Sequence, residues 1–234
     1  MKPVVFDIET SGFSIDEDYI CGVFYDGKDY YVSTTIEQMN RDLERLKDKY
    51  RDMFIVTYNG ENYRGGFDFA FLRTLFAKKY RAEVNFPFKG VKHLDIYPLF
   101  DKRFNTTHDV VKPPSSSISA SDVKNIAQAN EIEYTTKPKT LDILEKLRGT
   151  NWLGHQRETT ESRADAQSVY QMIFDPEGAE EYIDGGEVPE LYKKGNVDKI
   201  IRHCKNDVKR TLDLYHIVDK YAPRWEVERN INEL

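Results

Sequence analysis

The chain is 234 residues long, 39% hydrophobic and 32% charged, with a formal net charge of −6, a pI near 5.5 and a mean hydropathy of −0.67. No run approaches the ~18 apolar residues of a spanning helix, which excludes a helical membrane protein. The acidic balance argues against a protein that grips nucleic acid by phosphate contacts alone, but not against one that holds phosphate through divalent cations, which reverse the local sign of charge.

The first ten residues, MKPVVFDIET, do not read as a signal peptide, because the apolar run is short and an acid interrupts it. Val4-Val5-Phe6 within Lys2–Ile8 predicts a buried strand. Tyr19–Tyr25 and Tyr30–Ser33 predict two more strands, with Asp26-Gly27 as the hairpin turn between them. Ile36, Met39, Leu43 and Leu46 recur at helical spacing within Ile36–Tyr50. Met53–Tyr58 is a further buried-type strand, ending in the turn signal Asn59-Gly60. Phe67–Tyr80 predicts a helix with basic residues in its last turns, and Val91–Ile96 a short strand.

Residues 104–122 are rich in Ser, Thr and Pro and predict a loop or inserted segment. Beyond them the expectation is mostly helix, over 121–130, 140–147, 161–174 and 197–221. A strand-rich front and a helix-rich back imply one α/β domain over 1–234, with an insertion at about 104–122. Its mixed sheet would carry helices on both faces. The two cysteines, Cys21 and Cys204, form no CxxC pair, so a reducing cytoplasm is the expected compartment.

The acids carry the functional signal. Asp7 and Glu9 are two apart on the first strand and so share a face, at the strand end where ligands collect in open α/β sheets. Two close carboxylates repel, and a divalent cation resolves the conflict; a solvated strand end explains the pair equally well. Asp68 opens a helix between Phe67 and Phe69, where an acid is common for capping reasons alone. His203 and Asp207, four apart on the last long helix, border its apolar stripe of Ile200, Ile201, Cys204, Val208, Leu212 and Leu214. Taken singly, they read as a helix-stabilising pair.

Taken together, the order of these pieces resembles the DEDD 3′–5′ exonuclease superfamily, which has a ribonuclease H-like fold. The matching residues are Phe6-Asp7-Ile8-Glu9-Thr10, then Tyr58-Asn59-Gly60 with Phe67-Asp68, then His203 to Asp207. Lesser matches are His93-Leu94-Asp95-Ile96, and Thr140-Leu141-Asp142 with Leu147-Arg148-Gly149. The nearest parallels are the exonuclease domains of B-family DNA polymerases and the YprB-like family. Two departures stand out. His203 occupies a position that is usually tyrosine at this spacing, and Glu61–Gly66 lengthens the second motif, so that either Asn59 or Asn62 could be the family asparagine.

The resemblance implies an α/β, ribonuclease H-like mixed five-stranded sheet flanked by helices. It implies hydrolysis of DNA or RNA phosphodiesters, most readily at a single-stranded 3′ end, with two Mg²⁺ or Mn²⁺ ions about 4 Å apart. By carry-over, Asp7, Glu9, Asp68 and Asp207 would be the metal ligands. His203 would take or orient the proton of the attacking water, a role that suits an imidazole near neutral pH. Asn59, Phe67 and Phe71 would bound the slot for the terminal nucleotide. Lys193, Lys194, Lys199, Arg202, Lys205, Lys209 and Arg210 read mainly as a solvated face, with a few touching the substrate backbone. Three alternatives stay open: a structure-selective endonuclease on the same fold, a catalytically inactive nucleic-acid-binding module, and a small-molecule phosphoesterase.

Overall fold

The computed structural model describes residues 1–14, 16–62, 66–112, 157–174, 183 and 185–234. Its main sheet has six strands in the order β3-β2-β1-β4-β5-β8. These are β1 (Lys2–Thr10), β2 (Tyr19–Tyr25), β3 (Tyr30–Ser33), β4 (Met53–Thr57), β5 (Lys92–Asp95) and β8 (Ile231–Glu233). β1, β4 and β5 run parallel to one another; β2, β3 and β8 are antiparallel to their neighbours. The sheet is therefore mixed, as expected, but has one strand more than the five expected. β8 is three residues long and only Ile231 is apolar, so its pattern is too short to signal a strand; it forms by pairing with β5.

The helices are α1 (Ile36–Lys49), α2 (Asp68–Tyr80), α3 (Tyr97–Arg103), α4 (Ala166–Phe174), α5 (Val188–Lys193), α6 (Val197–Tyr221) and α7 (Arg224–Asn230). Alternation along β1 sends successive side chains to opposite faces. Val4, Phe6 and Ile8 pack with Ile36, Met39, Leu43 and Leu46 of α1 and Phe69, Leu72 and Phe76 of α2. Val5 packs on the other face with Ile200, Cys204, Val208 and Leu212 of α6. β1 is thus buried on both sides, and the odd-numbered face that carries Asp7 and Glu9 is the one α6 covers. No helix among the described residues is long and apolar enough to cross a membrane.

Residues 107–163 form a second compact unit. Its described parts are β6 (Thr107–Lys112) and β7 (Arg157–Ser162), an antiparallel pair. A strand at 107–112 corrects the expectation of a loop across 104–122: Val110 and Val111 were too short an apolar signal, and the partner strand lies some fifty residues away. The helix expected from 161 begins instead at Ala166, where Asp165 accepts the Ser168 backbone N–H at 2.9 Å and caps it. Residues 113–122 and the helices expected over 121–130 and 140–147 lie outside the described residues.

Candidate active site

Three separate elements bring carboxylates to the C-terminal end of β1. β1 itself presents Asp7 and Glu9, which pair in register with Val23 and Cys21 of β2. α6 presents His203 and Asp207 one turn apart. The His203 Nε2 lies 3.5 Å from Glu9 Oε1 and 3.2 Å from Asp207 Oδ2. Glu9, His203 and Asp207 offer ligand atoms that all lie within 4.8 Å of one another, and so do Asp7, Glu9 and Cys204. Glu9 belongs to both sets.

Asp68 reaches the region by a different route. Its helix starts from a tight turn in which Asn59 takes a left-handed backbone conformation, with φ of 63°. Gly60 follows because a Cβ there would sit 2.6 Å from the Thr57 side chain. The carbonyls of Asn59 and Gly60 accept the N–H groups of Phe67 and Phe69 at 3.1 and 3.3 Å, which tie down the start of α2 on either side of Asp68. The turn is itself held by Asp95 at the end of β5. One Asp95 oxygen accepts the backbone N–H of Asn59 at 2.8 Å and of Tyr97 at 3.0 Å. The other accepts the N–H of Glu61 and the Asn62 amide, both at 3.0 Å.

These acids sit in an environment that favours their neutral forms. Burial, reinforced by the charge of Asp207, raises the Asp7 carboxyl to about 7, against a lowering from the Cys204 thiol, which donates to Asp7 Oδ2 at 3.4 Å. Burial and then the Asp7 and Asp207 charges push Glu9 well above the usual carboxylate range. Burial and the Asp7 charge do the same for Asp68. Asp207 is raised by burial, although His203 and Arg210 pull it back. Asp68 is only 6% exposed, and its buried Oδ2 has no hydrogen-bond partner. An acceptor left in that state is costly, and hard oxygen donors crowded together are what Mg²⁺ or Mn²⁺ takes. The residues present fit a divalent cation.

A cavity of about 350 Å³ opens over the cluster, lined by Asp7, Glu9, His203, Asp207, Phe67 and Phe13 among others. Phe13 is 83% exposed and meets Phe67 edge to face, with ring centroids 5.5 Å apart. Asn59 and Phe71 do not line this cavity. The Asn59 Oδ1 accepts from the Asn62 amide at 3.1 Å, so both candidate asparagines belong to one turn. Phe71 is buried at 5% exposure, with its ring 5.6 Å from that of Phe67.

Residues 4–112 match the family model described as RNase_H superfamily. That segment is similar to the ribonuclease H-like family. The described architecture agrees with that fold, and the matched segment contains Asp7, Glu9 and Asp68 but not His203 or Asp207. Ribonuclease H-like proteins include nucleases that work with divalent metals, so the match supports a nuclease that binds nucleic acid. No curated protein matches the chain.

Sequence reasoning passed over several residues at this site. Arg210 reads as part of a basic face, yet it is buried and donates to Asp207 Oδ1 at 3.0 Å. Cys204 reads only as core. Asp165 and Phe13 line the cavity from segments with no pattern of their own. The one hint for Arg210 was its spacing, three residues past Asp207 on one helix face.

Proposed function

We propose that the chain is a metal-dependent 3′→5′ exonuclease that hydrolyses phosphodiesters of DNA or RNA at a single-stranded 3′ end. The observation that carries this reading is the gathering of Asp7, Glu9, Asp68 and Asp207 from β1, α2 and α6, all with raised proton affinity, beside an open cavity that His203 shares. Held by these four carboxylates, Mg²⁺ or Mn²⁺ would supply water activation and charge neutralisation at the scissile phosphate.

The chain's own residues divide the remaining work. Glu9 and Asp207 flank the His203 Nε2; with those carboxylates turned to the cations, the unprotonated nitrogen would take the proton of the attacking water. Arg210 fixes Asp207 from behind. The Cys204 thiol steadies Asp7. Phe13 and Phe67 offer an aromatic pair for the terminal base, and stacking of this kind tolerates any base. Phe71 backs Phe67 from within the core, and the Asn59 turn sets the start of α2. The two cysteines, buried and free, support action in a reducing cytoplasm.

A cleavage assay of the full chain with Mg²⁺ or Mn²⁺ tests the proposal. On a 5′-labelled single strand the expected product is a ladder shortened stepwise from the 3′ end, with a circular strand left intact. Cutting of the circle would mean an endonuclease. Binding of the strand with no shortening under either ion would mean an inactive binding module.

A further inference from the structure

A second groove, of about 280 Å³, lies against α6 beside the cavity over the carboxylates. Lys199, Arg202, Asn206 and Arg210 line it. Their spacing of three, four and four residues puts them in one stripe along the helix. His203 and Arg210 line both the groove and the cavity with the carboxylates, so the two adjoin along α6. Phe13 and Phe67 line only the cavity with the carboxylates. One acid, Glu187, faces the groove.

The change of charge from one to the other is abrupt. The cavity presents Asp7, Glu9, Asp165 and Asp207, with Arg210 paired to the last; the groove presents the Lys199 and Arg202 cations, the Asn206 amide and Glu187. Lys199 and Arg202 are exposed, and neither is an ion-pair partner of Asp207, which Arg210 and His203 hold. The stripe from Lys199 to Arg210 spans eleven helical steps, or about 16 Å. At the ~3.4 Å rise of a duplex strand that length would face about five phosphates, and fewer on an extended single strand; either is more than a mononucleotide can supply.

Resting on the exonuclease reading, the geometry points to this groove as the track for the phosphates on the 5′ side of the scissile bond. The 3′-terminal nucleotide then lies at Phe13 and Phe67, the scissile phosphate at the carboxylates, and the upstream strand runs past His203 along Asn206, Arg202 and Lys199. The substrate class that follows is a single strand of at least three or four nucleotides, in preference to a dinucleotide or a mononucleotide ester. Recognition is by backbone charge, so it is indifferent to sequence.

The test uses the full chain and 5′-fluorescein oligothymidylates of two to twelve nucleotides. Binding is read by anisotropy in Ca²⁺ across a salt series, and cleavage in Mg²⁺ or Mn²⁺. For the wild type, KM should fall as the strand lengthens from two to about four nucleotides and then level off. In the Lys199→Ala/Arg202→Ala double variant that gain should vanish. Its KM on the twelve-mer should rise roughly tenfold. Its slope of log affinity against log salt should be shallower by about 1.4, at ~0.7 for each single-strand phosphate that the protein no longer neutralises. Glu187→Gln should move KM the other way. A Lys89→Ala/Lys220→Ala control removes the same net charge from exposed positions outside the groove and should leave KM and slope unchanged.

The two ideas fail separately. Shortening of the strand with wild-type KM and salt slope in the groove variant, or an equal loss in the control, overturns the groove and leaves the exonuclease. Groove-dependent binding with no shortening overturns the exonuclease and leaves the groove as a strand-binding track. No binding by the wild type overturns both.

Discussion

Two of the places where this molecule buries acids at the sheet treat them in opposite ways. At the β2–β3 turn the Asp26 side chain is shut off from solvent. It is surrounded by donors: the backbone N–H groups of Lys28 and Asp29, the hydroxyls of Tyr31 and Tyr50, and the Lys49 ammonium at 2.8 Å. Burial alone would raise its pKa, but these partners outweigh it and hold the carboxyl below the usual range. At the end of β1 acids crowd one another; Cys204 pulls Asp7 back, and His203 and Arg210 pull Asp207 back, but burial outweighs them and all four pKa values go up. A buried carboxylate with a full set of donors is a structural part. A group of them with an orphaned oxygen has the donor set that a divalent cation takes.

The sharpest way to break this contrast is to remove one acid from each place. Asp7→Asn should cut cleavage by ~10³-fold or more, on the scale of other lost charge-stabilising groups. The metal-free protein should melt no lower than wild type, because the change relieves repulsion, and end-labelled strands with a thermal melt read both. Asp26→Ala should do the reverse. It breaks a buried, charge-assisted network and should cost about 3 kcal/mol. For a domain of this size that is a fall of roughly 6–12 °C in Tm, with cleavage well below the melting range unaffected. A destabilised Asp7→Asn or a harmless Asp26→Ala would erase the distinction.

Divalent ions and pH should separate the two places next. An acid whose folded pKa is raised favours folding when protonated. Its contribution is present below the unfolded value and is lost as pH climbs through the folded one. For Asp7 that window runs from 3.8 to about 7. The metal-free chain should therefore lose stability across this range, with Glu9, Asp68 and Asp207 adding in the same direction. Asp26 has a lowered pKa, so its contribution is held above its unfolded value of 3.8 and lost only at lower pH. Mn²⁺ at ~100 times its Kd should raise Tm by roughly 5–10 °C at pH 8, and by distinctly less at pH 6, where protons compete for the ligands. An equal rise at both pH values would mean that the ions bind elsewhere.

Much of this was legible in the residues. The β-branched start of β1, the Asp26-Gly27 turn and the apolar stripe of α6 each fix a local structure on their own, and the two-residue step from Asp7 to Glu9 already fixes their common face. What could not be read was anything whose meaning depends on a partner distant in the chain. β8 exists because β5 has a free edge. Arg210 looks like surface until α6 is laid against the sheet with Asp207 one turn away. Phe71, four residues from Phe67, was expected at the nucleotide slot, but α2 turns it into the core beneath. Asp95 shows the limit best. Its strand was visible, but its three hydrogen bonds to the turn before α2 were not.

Asp95 also gives the subtlest test of the contrast, because it lies between the two extremes. Burial raises its pKa even though Asn62, Asn59, Tyr97 and Glu61 all donate to it. Asp95→Asn is isosteric and keeps one oxygen, which can still accept from Asn59 and Tyr97. The new amide faces the Glu61 N–H and the Asn62 side chain, so two donors meet two donors. Asn62 can relieve half of that conflict by turning its own amide over, at the expense of its bond to Asn59. The turn should survive with a small loss of stability. Its carbonyls at Asn59 and Gly60, which hold Phe67 and Phe69, should shift by a few tenths of an ångström and take Asp68 with them. Cleavage should fall about tenfold, equivalent to ~1.4 kcal/mol, chiefly as a higher Mn²⁺ requirement. Adding Asn62→Asp should recover part of it, because the new carboxylate accepts from the new amide. An unchanged Mn²⁺ titration in the single variant would show that Asp68 is placed by α2 packing alone. A raised requirement that the second change repairs would make Asp95 a structural acid whose purpose is to position a functional one.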